Sequence, residues 1–284
     1  MFVSYVNVLV VRWKGDEIVT FCASIGVLDS GVGGLTVVRE MFRQIPQENV
    51  IYYGDTARCP YGQREPEEVR RFTFEIMDFL MEQGVKMIVI ACNTATAIAL
   101  NEARVRYSVP VVGVITPGSR AAISATANGR IGVIGTEVTI RSEAYVKEIL
   151  RINPDLYVRG KACAEFVPIV EAGLSDDPSV YRIVDESVQD FRADEVDVLI
   201  LGCTHYPLLQ SMIARSLGPC VQLINSAEET ARDVSAVLSE RGLLNQNNSQ
   251  ANHRFCVSGH LERFEAVGRE WLQRHITVEC VKLD

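Results

Sequence analysis

Two of the eight cysteines stand in matched surroundings. Cys92 follows the apolar run Met87 to Ala91 and precedes Asn93-Thr94, and Cys203 follows Val198 to Leu201 and Gly202 and precedes Thr204-His205. A sulfur at the carboxyl end of a buried parallel strand lies where such sheets present side chains and helix N-terminal N–H groups to ligands. If two halves of the chain face each other across a cleft, the two thiols approach one bound molecule from opposite sides. That arrangement suits inversion of a stereocentre without a cofactor: one group removes a proton from one face while the other donates to the opposite face, and the roles exchange in reverse. The other six cysteines read as buried structural thiols, with Cys59 in the turn-rich Ala57-Arg58-Cys59-Pro60-Tyr61-Gly62 a minor candidate.

The matched cysteines belong to a longer internal repeat. Ile25-Gly26-Val27-Leu28 recurs as Ile131-Gly132-Val133-Ile134 at an offset of about 106 residues, and the segment Val85–Thr94 recurs as Val196–His205 at about 111. Nearly equal offsets imply two copies of one strand–helix arrangement. Asp29-Ser30-Gly31-Val32-Gly33-Gly34 directly follows the first strand; its glycines permit close backbone approach to a ligand, and the helix after it offers N–H groups to a carboxylate. The spacing fits neither GxGxxG nor a P-loop, and a purely structural tight turn explains the glycines equally well. Asp29 and Asp55 both sit at strand ends, where a carboxylate orients a thiol or an ammonium group, although a turn-forming Asp also accounts for Asp55.

The elements that must position these residues alternate short apolar runs with amphipathic stretches, the pattern of an α/β protein with mostly parallel sheets. Strands are expected at Ile25–Leu28, Val50–Tyr53, Met87–Ala91 and Val111–Ile115, then at Ile131–Ile134, Leu156–Ala162, Val198–Leu201 and Val221–Ile224. Leu35, Val38, Met41 and Phe42 share one helical face, as do Val69, Phe72, Ile76, Phe79 and Leu80 between Pro66 and Gly84. Ser226 with Glu229 reads as a capping box opening a helix through about Arg241. Polar Asn245 to Asn252 reads as a loop, and the tail as strand, helix, strand.

Composition sets the outer bounds. The chain has 284 residues, 48% of them hydrophobic, enough for two domains with proper cores and too apolar for disorder. A net charge of −8 without basic runs argues against a nucleic-acid surface. Scattered cysteines without CxxC or zinc-ligand spacing argue against a disulfide scaffold or metal site and for reduced thiols in the cytoplasm. Phe2 to Val11 is apolar but too short to span a membrane, and the charge of Arg12 and Lys14 follows it, opposite to a signal peptide. Residues 1–23 are therefore expected to form an extension outside the fold, compatible with an upstream start codon.

Four motifs in order carry a resemblance: Asp29 to Gly34; Gly54-Asp55-Thr56-Ala57-Arg58 leading to Pro60-Tyr61-Gly62; Ala91-Cys92-Asn93-Thr94-Ala95; and Gly202-Cys203-Thr204-His205-Tyr206-Pro207. Together they resemble the glutamate racemase family, cofactor-independent enzymes that supply D-glutamate for bacterial peptidoglycan, from about Ser24 to the C-terminus. The resemblance implies two pseudo-symmetric α/β domains with the site in the cleft between them. The first would be discontinuous, 24–116 plus 226–284, and the second 117–225, with crossings near the turn or cap residues Thr116-Pro117-Gly118 and Asn225-Ser226. It implies Cys92 acting on D-glutamate and Cys203 on L-glutamate. Substrate contacts fall to Asp29, Ser30, Tyr61, Gly62, Asn93, Thr94, Thr204 and His205, and acid–base or orienting roles to Asp29, Asp55, Glu171 and His205. No cofactor, metal, nucleic acid or membrane partner is implied; a homodimer is.

The chemistry sets demands on these residues. A free thiol, with a pKa of about 8.5, is mostly protonated at neutral pH, and the Cα proton of glutamate is very weakly acidic. Donors such as Ser30, Asn93 and Thr204 can hold the α-carboxylate, while His205 would hold Cys203 as thiolate and Asp29 would serve Cys92. A pyridoxal enzyme is disfavoured, because Lys14, Lys86, Lys147, Lys161 and Lys282 all lie outside the strand-end motifs. Three alternatives remain open at this level: an aspartate racemase or other two-thiol isomerase, a Cys-His hydrolase using Cys203 and His205, and a non-catalytic two-domain binding or redox-sensing protein.

Overall fold

The structure is a computed structural model that describes residues 10–12, 18–175, 177–247 and 250–283. In chain order its strands and helices are β1 (Val10–Arg12), β2 (Ile18–Thr20), β3 (Ile25–Asp29), α1 (Leu35–Gln44), β4 (Val50–Gly54), α2 (Pro66–Glu82), β5 (Met87–Ile90), α3 (Asn93–Arg106), β6 (Val111–Gly113) and α4 (Ile115–Ala125). There follow β7 (Arg130–Gly135), α5 (Glu137–Arg141), α6 (Ala144–Ile152), β8 (Tyr157–Ala162), α7 (Phe166–Glu171), α8 (Tyr181–Val188), α9 (Asp190–Ala193), β9 (Val198–Gly202) and α10 (Gln210–Leu217). The chain ends with β10 (Gln222–Asn225), α11 (Ser226–Glu240), β11 (His253–Val257), α12 (Leu261–Leu272) and β12 (Val278–Cys280).

Two parallel sheets form. One has six strands in the order β12-β11-β4-β3-β5-β6 and the other four in the order β10-β9-β7-β8. The run β4-β3-β5-β6 in the first sheet matches β8-β7-β9-β10 in the second, so the sequence repeat is a repeat of topology. In each copy the first strand has its successors on opposite sides, and its carboxyl end is a topological switch point where open α/β sheets bind ligands. Both sheets are covered on both faces, which is why their central strands read as continuous apolar runs. Ile25 and Val27 pack into one core while Leu28 joins Tyr53 and Ile90 in another on the opposite face.

Several local expectations need correction. The helix after Asn225 is not opened by a Ser226–Glu229 box: Asn225 is the cap, its Oδ1 accepting from Ala227 N at 3.0 Å, and Glu229 pairs with Arg232. The strand expected through Ile115 stops at Gly113, and Thr116, Pro117 and Gly118 lie inside α4 instead of in a turn. Proline is tolerated there because the first helical turn has no partner for its missing N–H. Cys220 and Cys280 are exposed, and Cys22 and Cys59 are partly so, leaving Cys163 and Cys256 as buried thiols away from the matched pair. Residues 1–9 and 13–17 of the expected extension lie outside the described residues. The rest of it is not wholly separate: β1 and β2 pair antiparallel, and the Phe21 and Cys22 carbonyls accept from Lys86 Nζ and Asn49 Nδ2. Lys86 is itself fully buried in an ion pair with Glu48, and its Nζ also donates to Leu243 O at 2.8 Å.

Candidate active site

Both matched cysteines follow the third strand of their copy, β5 and β9, and both line one cavity with the two switch points. Ser30, Pro60, Tyr61, Gly62, Cys92, Asn93 and Thr94 come from the first sheet's loops, and Thr136, Val167, Cys203, Thr204 and His205 from the second's. The cavity measures about 20 Å³, room for about one water. A neighbouring cavity of about 40 Å³, bounded by Gly31, Cys59, Glu171 and Arg263 among others, adjoins these residues. A groove of about 1130 Å³ among α3, α4 and α11 includes none of the expected site residues.

Cys92 is the N-cap of α3. Its sulfur accepts from Ala95 N at 3.5 Å and its thiol donates to Ser30 Oγ at 3.8 Å. Burial, reinforced by the nearby Asp29 carboxylate, pushes the thiol up to about 12. Cys203 has charged company instead. Its Sγ is 3.8 Å from His205 Nδ1, the other ring nitrogen lies 2.8 Å from Glu171 Oε1, and Glu171 Oε2 is 2.9 Å from Arg263 Nη2. Burial alone would lower His205, but the hydrogen bonds with Cys203 and Glu171 outweigh it and hold the imidazolium up to about 10. Glu171 is kept below the usual carboxylate range, burial opposing the shift and His205 and Arg263 producing it.

Asp29 is fully buried behind the cavity wall, accepting from Gly31 N at 3.0 Å and facing Thr204 Oγ1 at 3.5 Å. Burial raises its carboxyl, with His205 and the Gly34 and Gly31 amides acting against it. Asp55 does not line the cavity: its carboxylate accepts from Ser258 Oγ and Arg58 Nε, each at 2.7 Å, and from the Tyr61 hydroxyl, so it reaches the site through Tyr61. Thr94 Oγ1 joins Thr136 and Thr139 at 3.0 and 3.3 Å, tying the two halves across the cavity.

Two of the glycines have close neighbours across the cleft. A β-carbon on Gly33 would collide with Thr204 Oγ1 and come within 2.7 Å of His205 Nδ1, while one on Gly62 would lie 2.6 Å from the Thr136 side chain. They let the halves meet. Thr136 escaped sequence reasoning, although the repeat extended two residues past Ile134 aligns it with Ser30. Arg263, from α12, lies outside both repeats and left no comparable signal. Among the described residues no group of three or more His, Cys, Asp or Glu side chains could hold a metal ion.

Similarity to known proteins agrees with this geometry. The family model described as Asp/Glu/Hydantoin racemase matches residues 25–234. A glutamate racemase from Exiguobacterium sibiricum is 51% identical over 260 residues, 92% of this chain and 95% of that one. Among solved structures, a Bacillus anthracis glutamate racemase superposes with a TM-score of 0.90 at 46% identity, covering 92% of this chain and 98% of its own. The Francisella tularensis glutamate racemase solved with D-glutamate gives 0.88 at 36% identity, covering 93% and 99%.

Proposed function

The chain belongs to the Asp/Glu/hydantoin racemase family and interconverts L- and D-glutamate, and from that premise we propose that Cys92 and Cys203 are its two acid–base groups. The observation that carries this is the convergence of both sulfurs on one cavity from equivalent strand ends. Acting on L-glutamate, a Cys203 thiolate takes the Cα proton and becomes a thiol, while the Cys92 thiol gives its proton to the opposite face and becomes a thiolate. D-glutamate runs the reverse. Atoms and charge balance within the pair, so the protein's own groups suffice.

His205, held protonated, gives negative charge on Cys203 a donor, and Glu171 with Arg263 fixes the ring. Cys92, kept as a thiol by burial and by the nearby Asp29 carboxylate, starts as the acid when L-glutamate reacts. Ser30, Asn93 and Thr204, with the N-terminus of α3, provide donors for the substrate α-carboxylate and for charge developing on it as the proton leaves. Asp29 is placed to orient the ammonium group; Asp55 and Tyr61 with Gly62 shape the opposite wall. A Cys-His hydrolase needs one sulfur only, and nothing in its chemistry calls for the second.

Sheet membership supports the division into 24–116 plus 226–284 and 117–225, since β11 and β12 return to the first sheet. Among the described residues no helix is long and apolar enough to cross a membrane. We place the enzyme in the cytoplasm, where its eight free cysteines stay reduced and its D-glutamate feeds peptidoglycan synthesis; sedimentation analysis will check the homodimer expected of it. The test of the two-thiol reading is racemisation by Cys92→Ala and Cys203→Ala in both directions. Each variant should lose it entirely, and retention by either removes that cysteine from the mechanism.

A further inference from the structure

Asn93 is buried next to Cys92, and its amide is only half used. Tyr145, from α6 in the other sheet's half, donates its hydroxyl proton to Asn93 Oδ1 at 2.7 Å, while Asn93 Nδ2 is buried without a partner among the described residues. The side chain lines the cavity between the two sulfurs. An amide in that state has one oxygen committed to the protein and two N–H donors committed to nothing in it, the pattern expected where a ligand acceptor completes the set.

An amide can rotate to exchange oxygen for nitrogen, so something must hold this orientation. Tyr145 does so by giving its phenolic proton to Asn93 Oδ1, and Ser226 lies beside the same phenol, acting against the rise that burial gives it. The donors therefore run in one direction, from Tyr145 to Asn93 to the cavity. The same tyrosine ring packs against the second cysteine's strand end, since a β-carbon on Gly202 would lie 3.1 Å from Tyr145 Cε2. Its hydroxyl also lies at the chain crossings: a β-carbon on Gly118 would be 3.5 Å from that oxygen and 3.2 Å from Ser226 Cβ. Tyr145 is thus fastened to the residue before Cys203, to the residue after Cys92, and to both segments that join the sheets.

We propose that Tyr145 is a positioning residue for substrate, fixing the Asn93 amide with Nδ2 toward the glutamate α-carboxylate and with Ser226 fixing Tyr145 in turn. The proposal rests on the reading of Asn93 as a substrate contact. It makes Asn93 orientation depend on closure of the two halves, because the donor to its oxygen comes from across the cleft.

The experiment is a double-mutant cycle with Tyr145→Phe, which keeps the ring in its core, and Asn93→Ala, read as KM and kcat in both directions. Tyr145→Phe should raise KM about tenfold with kcat changed less, the equivalent of one oriented hydrogen bond. In the Asn93→Ala background it should add nothing, since no amide remains to orient. Ser226→Ala, outside the cavity lining, should raise KM about threefold by freeing the phenol to turn, and it decides the matter if Tyr145→Phe does not fold. A KM change under twofold in Tyr145→Phe, or an equal Tyr145→Phe effect with and without Asn93, overturns the proposal. If Asn93→Ala itself leaves KM unchanged, the failure belongs to the substrate-contact reading instead.

Discussion

Cys92 and Cys203 occupy equivalent points in two copies of one strand order, yet their neighbours differ in kind. Around Cys92 the partners are a hydroxyl and a backbone N–H, and burial, reinforced by a nearby carboxylate, pushes the thiol up to about 12. Around Cys203 an imidazolium, a carboxylate and a guanidinium stand in line. Duplication fixed where each sulfur sits, and unduplicated side chains set what surrounds each one. A two-base reaction needs one thiol charged while the other is not, and the two exchange states when the direction reverses. Thr204-His205 replaces Asn93-Thr94 at the corresponding positions, so the divergence is one residue beyond the shared Cys motif.

Beyond the sulfurs themselves, the largest effect should come from removing the charge at His205. His205→Asn keeps a polar side chain of similar size and should lower kcat/KM about 100-fold. Enantiomers have equal free energy, so the loss must be the same for L- and D-glutamate; unchanged turnover in both directions would remove His205 from the comparison. Gly33→Ala addresses the contact between halves. Its β-carbon meets Thr204 and His205, and an activity loss of about tenfold is expected as closure becomes imperfect; an alanine accommodated without loss would mean that closure tolerates a wider gap.

The pH dependence of stability sharpens the contrast further. His205 is held up to about 10 from an ordinary value of 6.5, so folding binds its proton more tightly than unfolding does. The stabilisation is complete below about pH 6.5 and is lost as pH rises through 10. The Tm gap between wild type and His205→Asn should therefore narrow by a few degrees across that window, and a gap that widens would reverse the sign. The smallest effect is expected at Ser30→Ala, about threefold in kcat/KM, because Ser30 is one of several donors near Cys92.

Much of this was legible before any coordinates. The repeat in Ile25–Leu28 and Val85–Thr94 became a repeat of strand order, and the strand-end position of both cysteines followed from apolar runs alone. What pattern could not show was how side chains from distant segments meet. Gly33 gives no sign in the sequence that Thr204 and His205 lie against it, and Arg263 reaches Glu171 from a helix with no motif of its own. Thr116 to Gly118 carries turn residues yet forms the first part of a helix, because proline satisfies a helix start as well as a turn. Cys220 and Cys280 show the limit of composition, which ranks cysteine as buried on average without saying which ones are.

The central claim is that two different groups handle the two faces of Cα, and the fate of solvent deuterium tests it most directly. L-glutamate incubated in deuterated water and sampled early should yield D-glutamate fully labelled at Cα while the recovered L-glutamate stays unlabelled, because the thiol that removes the proton is not the one that delivers deuterium. Deuterium entering recovered L-glutamate as fast as D-glutamate forms would contradict the account, since a single group would then be serving both faces.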